Sequence, residues 1–295
     1  MFTLFRFVLN HPLNANDKWR AIKRVFEWQI ASRLMAGPIA FPFVEGSKLF
    51  AMRGQTGVTG NWYCGLHEHC DMAFVLHALR DDETFLDVGA NVGSYTVLAA
   101  AGPKARVITV EPIPQTFEWL KLNVALNDFG HRVRPFRVGL SEAVGELRFT
   151  VGLGAMNHVI ESEGAMAQTA EETIKVPVTR LDDLVCDDCP RVIKIDVEGH
   201  ELAVLRGAER TLANAALLAV VMETNGSGAR YGYSDSELVR VMQGYGFSMF
   251  SYDPFERELS PSGLGGGNTI CVRNVDLVAE RVRAAPRFRV GETEI

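Results

Sequence analysis

The sequence predicts an α/β domain, a mostly parallel sheet with helices on both faces, carrying an N-terminal helical extension. Three observations predict it. From Asp82 onward, short apolar runs alternate with segments of helical period, which is the mark of βαβ units. The first run, 85–88, passes through a small-residue turn, 89–93, straight into a helical segment. Finally, 295 residues with 47% hydrophobic and 22% charged side chains can bury a large core without disulfides or a structural metal.

The elements follow in chain order. Residues 1–10 are apolar but short, with no basic region before them and no small-residue cleavage site after them, so they do not read as a secretory signal. Residues 17–35 show a helical stripe of Trp19, Ile22, Val25, Phe26 and Ile30, with Lys18, Arg20, Lys23, Arg24 and Glu27 largely elsewhere. A basic amphipathic helix can lie on a membrane; the acidity of the whole chain favours a helix packed on its own domain. Gly37-Pro38 and Pro42 break that pattern, and 48–59, with Gly54 and Gly57, reads as a short hairpin or irregular strand. Strands are expected at 85–88, 106–110, 133–138, 192–197, 217–223, 247–252 and 269–272, with helices at 95–101, 115–126, 201–212 and 235–244. Two more strands, 146–151 and 173–178, form an insertion between the third and fourth. The expected organisation is an extension over 1–62, the α/β domain over 63–274 and a C-terminal tail over 275–295.

Charge and cysteine usage narrow the class. A net charge of −6 and a pI near 5.7 give no electrostatic reason to approach nucleic acid or an anionic membrane. Five cysteines, odd in number and scattered, suit a reducing compartment better than a disulfide framework. No apolar stretch approaches the ~20 residues of a membrane span, so a cytoplasmic protein is expected. Cys186 and Cys189 with His67, His69 and Cys70 lack the second paired motif of a structural zinc site. The glycine tract 263–267 lacks the strand-before, helix-after setting of a phosphate loop and reads as a loop over substrate or a plain connection.

Ligands of parallel α/β sheets bind beyond the carboxyl ends of the strands, and three strand ends carry chemistry. The first is Asp87-Val-Gly89-Ala-Asn91-Val-Gly93, where glycines permit the tight turn and the close helix start. A dinucleotide fingerprint opening at Gly89 requires glycines where Asn91 and Ser94 stand, and no Gly-Lys-Ser/Thr follows, so a nicotinamide-type oxidoreductase is the weaker alternative. The second is Glu111, placed to accept ribose hydroxyls. Ser141, after the third strand, stands where an adenine edge would lie. The third is the block 191–201, RVIKIDVEGHE, with Asp196, Glu198, His200 and Glu201 at one strand end. So many ionisable groups there point to a site, although Glu201 reads as a helix cap.

Taken together, DVGANVGSYT, VEPIPQTFEWLKLNVALN, TRLDDL and IKIDVEGHE resemble the FkbM family of methyltransferases from about Tyr63 to Asn268. The N-terminal helix and the segment 53–68 are similar to a longer bacterial subset of it. The resemblance implies a class I methyltransferase fold, Rossmann-like, with seven strands of which the last is antiparallel. It implies methyl transfer from S-adenosylmethionine to a hydroxyl of a sugar, glycan or polyketide-like small molecule. By position, Asp87, Gly89, Asn91, Gly93 and Glu111 would contact the cofactor, while Asp196 and Glu198 would line the transfer site. Asp196 is the first candidate for general base and His200 the second; a divalent metal held by Asp196 and Glu223 is the alternative way to activate the hydroxyl. A non-catalytic binding protein on the same fold is disfavoured by the retention of Asp87, Glu111 and Asp196. Nothing in the sequence specifies an oligomeric state.

Overall fold

A computed structural model describes residues 2–152, 156–160, 172–185 and 188–295. Its central sheet has eight strands in the order β13-β12-β14-β11-β10-β3-β4-β5. These are β3 (Thr84–Val88), β4 (Arg106–Val110), β5 (Val133–Phe136), β10 (Val192–Ile195), β11 (Ala219–Glu223), β12 (Ser248–Asp253), β13 (Glu258–Pro261) and β14 (Asn268–Val272). Strands β5, β4, β3, β10 and β11 run parallel, and β14 is antiparallel to both β11 and β12.

The expected count of seven is exceeded by β13. It folds back on β12 through a turn in which Asp253 Oδ1 accepts from Phe255 N and Glu256 N at 2.9 and 3.1 Å. It is a mostly exposed edge strand, so no apolar run advertises it.

Strand alternation sorts the side chains onto two faces. Phe85, Val107, Val192 and Val221 pack into one core with α4 (His69–Ala78) and α5 (Ser94–Ala101). Leu86, Ile108, Ile193 and Val220 pack into another with α8 (Glu201–Arg206), α9 (Glu209–Ala213) and α10 (Asp235–Gly244). Asp87, Lys194 and Glu223 share the register of the first set. The two insertion strands form as expected, and they pair with each other: β7 (Gly145–Thr150) lies antiparallel to β9 (Thr173–Thr179) in a separate small sheet.

The N-terminal segments share the first core, to which Val8, Trp28, Phe41 and Leu49 contribute. The hairpin β1 (Ile39–Pro42) and β2 (Lys48–Ala51) is fastened to α6 (Pro114–Leu126) by two asparagines. Asn123 Oδ1 accepts from Phe50 N at 2.6 Å and Asn127 Oδ1 from Lys48 N at 2.7 Å. Residues beyond the hairpin depart from the strand-like reading, since α3 (Thr56–Cys64) is helical. Its Gly60 is pressed so close to His67 that an added Cβ would meet the ring at 2.1 Å; packing overrides glycine's low helix propensity.

Helix α2 (Lys18–Leu34) also departs from expectation. It turns Ala21, Val25 and Trp28 inward, so of the expected stripe only Val25 is buried. Trp19, Phe26 and Ile30 stand 82%, 56% and 58% exposed. The small Ala21 permits close packing, and Trp62 Nε1 donates to Arg24 O at 2.9 Å. At the other terminus, α11 (Val275–Arg283) buries Val278 and Val282, and Phe288 and Ile295 lie in the same core.

Candidate active site

A cavity of about 720 Å³ opens at the carboxyl ends of β3, β10 and β11, within the size range of small-molecule sites. Asp87, Gly89 and Asn91 line it from the first strand, Lys194 and Asp196 from the second, and Glu223 from the third. Further lining comes from the extension, residues 52–58 and Asn61, and from His67 and Glu68 just after it.

The turn after β3 is built by backbone necessity. Gly89 has φ +75, and a Cβ there would meet Asp196 O at 1.8 Å, so only glycine lets the two strand ends approach. Its N–H and that of Ala90 both donate to Val110 O at 3.0 Å. Asn91 adopts φ 52, a left-handed conformation tolerated by asparagine, and its Oδ1 accepts from Val92 N at 2.8 Å. Gly93, φ 90, caps α5.

Glu111 binds this turn to the next. Its Oε2 accepts from Asn91 N at 3.0 Å and its Oε1 from Ile113 N at 2.9 Å. Burial pushes its pKa up to about 7 despite those two N–H bonds. It lines a small cleft of about 100 Å³ with Gly89, Asn91 and Asp196. Asp87 is similarly buried; its Oδ2 accepts from Thr96 Oγ1 at 2.6 Å, and burial lifts its pKa to about 6.

At the cavity floor stands a buried cation. Lys194 is 1% exposed, its Nζ 2.8 Å from Asp196 Oδ2 and 5.2 Å above the Tyr95 ring. Burial opposes its charge, yet Asp196, Glu68 and Asp87 hold its pKa above the ordinary lysine value. Tyr95 OH donates to Glu68 Oε2 at 2.7 Å. Asn268 Nδ2 donates to Glu68 Oε1 and Asp71 Oδ2, each at 3.1 Å.

Around it the acids crowd. Burial, then neighbouring carboxylates, raise Glu198 to about 7 and Glu223 to about 8. Asp196, Glu198 and Glu223 can bring one oxygen each within 4.8 Å of one another, and among the described residues no other three such groups converge. Glu198, at φ 54, is the strained member.

Not every expected residue reaches this cavity. Ser141 Oγ lies 3.2 Å from His200 Nε2, and both are buried apart from the cavity-lining set. The His200 ring meets Tyr231 edge-on at 5.6 Å, and burial lowers its pKa to about 4. Glu201 behaves as a cap: its Oε1 accepts from Val197 N and Gly199 N at 3.2 and 3.1 Å. His69 Nε2 and Cys70 Sγ are 3.3 Å apart; Cys186 lies outside the described residues. The glycine tract joins β13 to β14, and Gly267 O accepts from Thr224 N at 2.8 Å, tying the chain just after Glu223.

Lys194, Glu68, Asp71, Tyr95 and Asn268 were absent from the sequence reading of the site. A lysine two residues before Asp196 in an otherwise apolar buried strand was a usable signal. Glu68 and Asn268 carried none, since their contact joins residues 200 apart in the chain.

This is the class I methyltransferase arrangement, a parallel sheet with an antiparallel strand inserted and an acid-lined cavity at the strand ends. The chain belongs to the methyltransferase FkbM domain family, whose profile matches residues 87–249, more than half of its length. It is similar to the hexuronic acid methyltransferase AglP of Haloferax volcanii, 36% identical over 143 residues, 47% of this chain and 55% of that protein. It is also similar to methyltransferase sdnD of Sordaria araneosa, 27% identical over 172 residues, 48% of this chain and 65% of that protein. The 31-O-demethyl-FK506 methyltransferase FkbM of Streptomyces tacrolimicus is 26% identical over 209 residues, 61% of this chain and 78% of that protein. The chain thus spans little more than half the length of the first of these relatives and just under two thirds of the second.

Proposed function

We propose that the protein is an S-adenosylmethionine-dependent O-methyltransferase acting on a hydroxyl of a sugar, glycan or polyketide-like small molecule. The observation that carries this reading is the convergence of the Gly89 turn and the Lys194–Asp196 pair on one cavity, with Glu111 in an adjoining cleft that shares Gly89, Asn91 and Asp196. The donor set fits the cofactor: a glycine turn that brings two strand ends together at the cavity edge, and buried carboxylates beside it for a ligand bearing a sulfonium and an ammonium. When bound, the cofactor supplies an electrophilic methyl group, so the chain's main task is alignment, which can contribute about 7–11 kcal/mol.

Asp87, Gly89, Asn91, Gly93 and Glu111 would hold the cofactor, the carboxylate of Glu111 accepting ribose hydroxyls. Asp196 would take the acceptor's proton: the Lys194 ammonium occupies Oδ2, leaving Oδ1 for that hydroxyl. Such a base contributes about 10²–10⁴-fold. Glu198 borders the same space. Ser141 and His200 would support the strand ends from the second core rather than touch reactants. The hexuronic acid and the 31-O-demethyl-FK506 in two relatives' names support a hydroxylated acceptor and transfer to oxygen. Within a cell this chemistry suits the cytoplasm, where the cofactor is made, and no helix among the described residues is long and apolar enough to cross a membrane.

A second reading, a divalent metal that polarises the hydroxyl, has one observation in its favour, the convergence of Asp196, Glu198 and Glu223. The ammonium already 2.8 Å from Asp196 weighs against it, because two cations at that range repel strongly in a low-dielectric site.

Calorimetry with S-adenosylhomocysteine and with NAD tests the proposal. Micromolar-range binding of the first, about −8 kcal/mol, and none of the second is expected; the reverse result would overturn it. Turnover that vanishes with a chelator and returns with Mg²⁺ would select the metal reading.

A further inference from the structure

We propose that α2 docks the protein peripherally on an anionic lipid surface, a role that does not depend on the reaction proposed above. The helix buries Ala21, Val25 and Trp28 and presents the opposite face to solvent. That face carries Trp19, Phe26, Ile30 and Leu34, exposed to 82%, 56%, 58% and 80%, with Met35 at 54% just beyond. At 100° per residue these four side chains fall on one stripe running the length of the helix, about 25 Å at 1.5 Å per residue. Lys23 lies within the stripe and Arg33 beside it; both are exposed. A continuous exposed apolar stripe flanked by cations marks an interaction surface, unlike apolar side chains scattered singly over a surface.

Charge selects the occupant. Residues 1–35 contain six Lys/Arg and two Asp/Glu, net +4 in a chain whose total is −6. The positive charge is therefore local to residues 1–35 while the rest of the molecule is strongly acidic. A second copy docked through the same face would set Lys23 and Arg33 against their equivalents, which disfavours self-association. An anionic bilayer accepts both features at once: apolar side chains enter the headgroup boundary, a tryptophan sits at the interface, and each nearby Lys or Arg adds about 1 kcal/mol. Lys23 and Arg24 also border a recess of about 320 Å³ beside the helix, but Glu27 and Glu292 line it too, so the exposed stripe and its cations carry the docking rather than this recess. The only acid on the face, Glu27, is paired with Lys23 at 3.5 Å.

Flotation of the full chain with vesicles tests this. Vesicles of phosphatidylcholine with about 30% phosphatidylglycerol should carry the protein, pure phosphatidylcholine should carry at least tenfold less, and about 0.5 M salt should release it. Trp19→Ser/Phe26→Ser/Leu34→Ser and, separately, Lys23→Glu/Arg33→Glu should each weaken binding by about tenfold or more while leaving the far-ultraviolet circular dichroism unchanged, because these side chains are exposed. Absence of flotation with the anionic vesicles at low salt overturns the proposal, as does flotation that both variants retain. A concentration-dependent dimer that the triple substitution abolishes, without vesicle binding, assigns the face to a second copy instead.

Discussion

Lys194 and Asp196 stand two residues apart on one strand end, on the same side of the sheet, with Nζ 2.8 Å from Oδ2. The pair is asymmetric: the lysine side chain is 2% exposed and the aspartate 34%. The cation is thereby locked in the core while its partner reaches into the cavity. Alternation along β10 produces this arrangement, since i and i+2 share a face and the strand ends just before Asp196.

Lys194→Met removes the cation and leaves several buried carboxyls uncompensated. We expect a loss of about 3–5 kcal/mol in stability, the range for breaking a buried pair. The loss should be greater at pH 8 than at pH 6, where more of the surrounding carboxyls are protonated. Chemical denaturation at the two pH values measures it, and an equal loss at both would exclude the electrostatic cause.

Asp196→Asn should lower single-turnover rates by about 10²-fold or more with little change in S-adenosylhomocysteine affinity. His200→Gln, at a side chain outside the cavity, should leave turnover nearly intact and act on stability alone. If His200→Gln shows the greater loss of turnover, the two roles are reversed.

Glu111→Ala should weaken cofactor binding by about 1.5–3 kcal/mol, the range for hydrogen bonds to a charged group, read by calorimetry as a rise in Kd of tenfold or more. It also frees the N–H groups of Asn91 and Ile113, so the free protein should melt at a lower temperature. Unchanged affinity would remove Glu111 from the binding site.

Gly89→Ala places a methyl 1.8 Å from the Asp196 carbonyl oxygen, where backbone must move. Gly226→Ala is its control: φ is likewise positive, +83, but the space is open. The control should show only the conformational cost of about 1–2 kcal/mol, whereas Gly89→Ala should lose more stability and nearly all cofactor binding. Equal effects in thermal melts and calorimetry would mean that the close approach at Gly89 is unimportant.

The raised carboxyls set a pH dependence with a definite sign. Glu111 and Glu198 near 7 and Glu223 near 8 hold protons in the folded protein that the unfolded chain has already released. Stability is therefore lost as pH rises through those values. The melting temperature of the ligand-free protein should fall between pH 6.5 and 8.5, and Glu223→Gln should flatten the upper part of that fall. A melting temperature that climbs over this interval would contradict the buried-carboxyl assignment.

Local pattern alone determined seven of the eight sheet strands, the helices that follow them and the positions of the two insertion strands, because strand–helix periodicity and glycine turns are encoded within a few residues. It also placed Asp87, Gly89, Glu111 and Asp196 at strand ends, since a strand's end and its last polar residue are adjacent in the chain. Tertiary structure decided the rest. Burial of Lys194 depended on which face of β10 meets α4 and α5, and Glu68 joined the site only when the start of α4 packed against the sheet and met Asn268. His200, adjacent in sequence to the cavity's acids, was turned to Ser141 because the chain reverses at Gly199 (φ 100). Helix α2 exposed the stripe expected to be buried because Ala21 and Trp28, not its most apolar arc, fitted the surface of α3. Periodicity reports that a helix has an apolar face; only packing decides which face is covered.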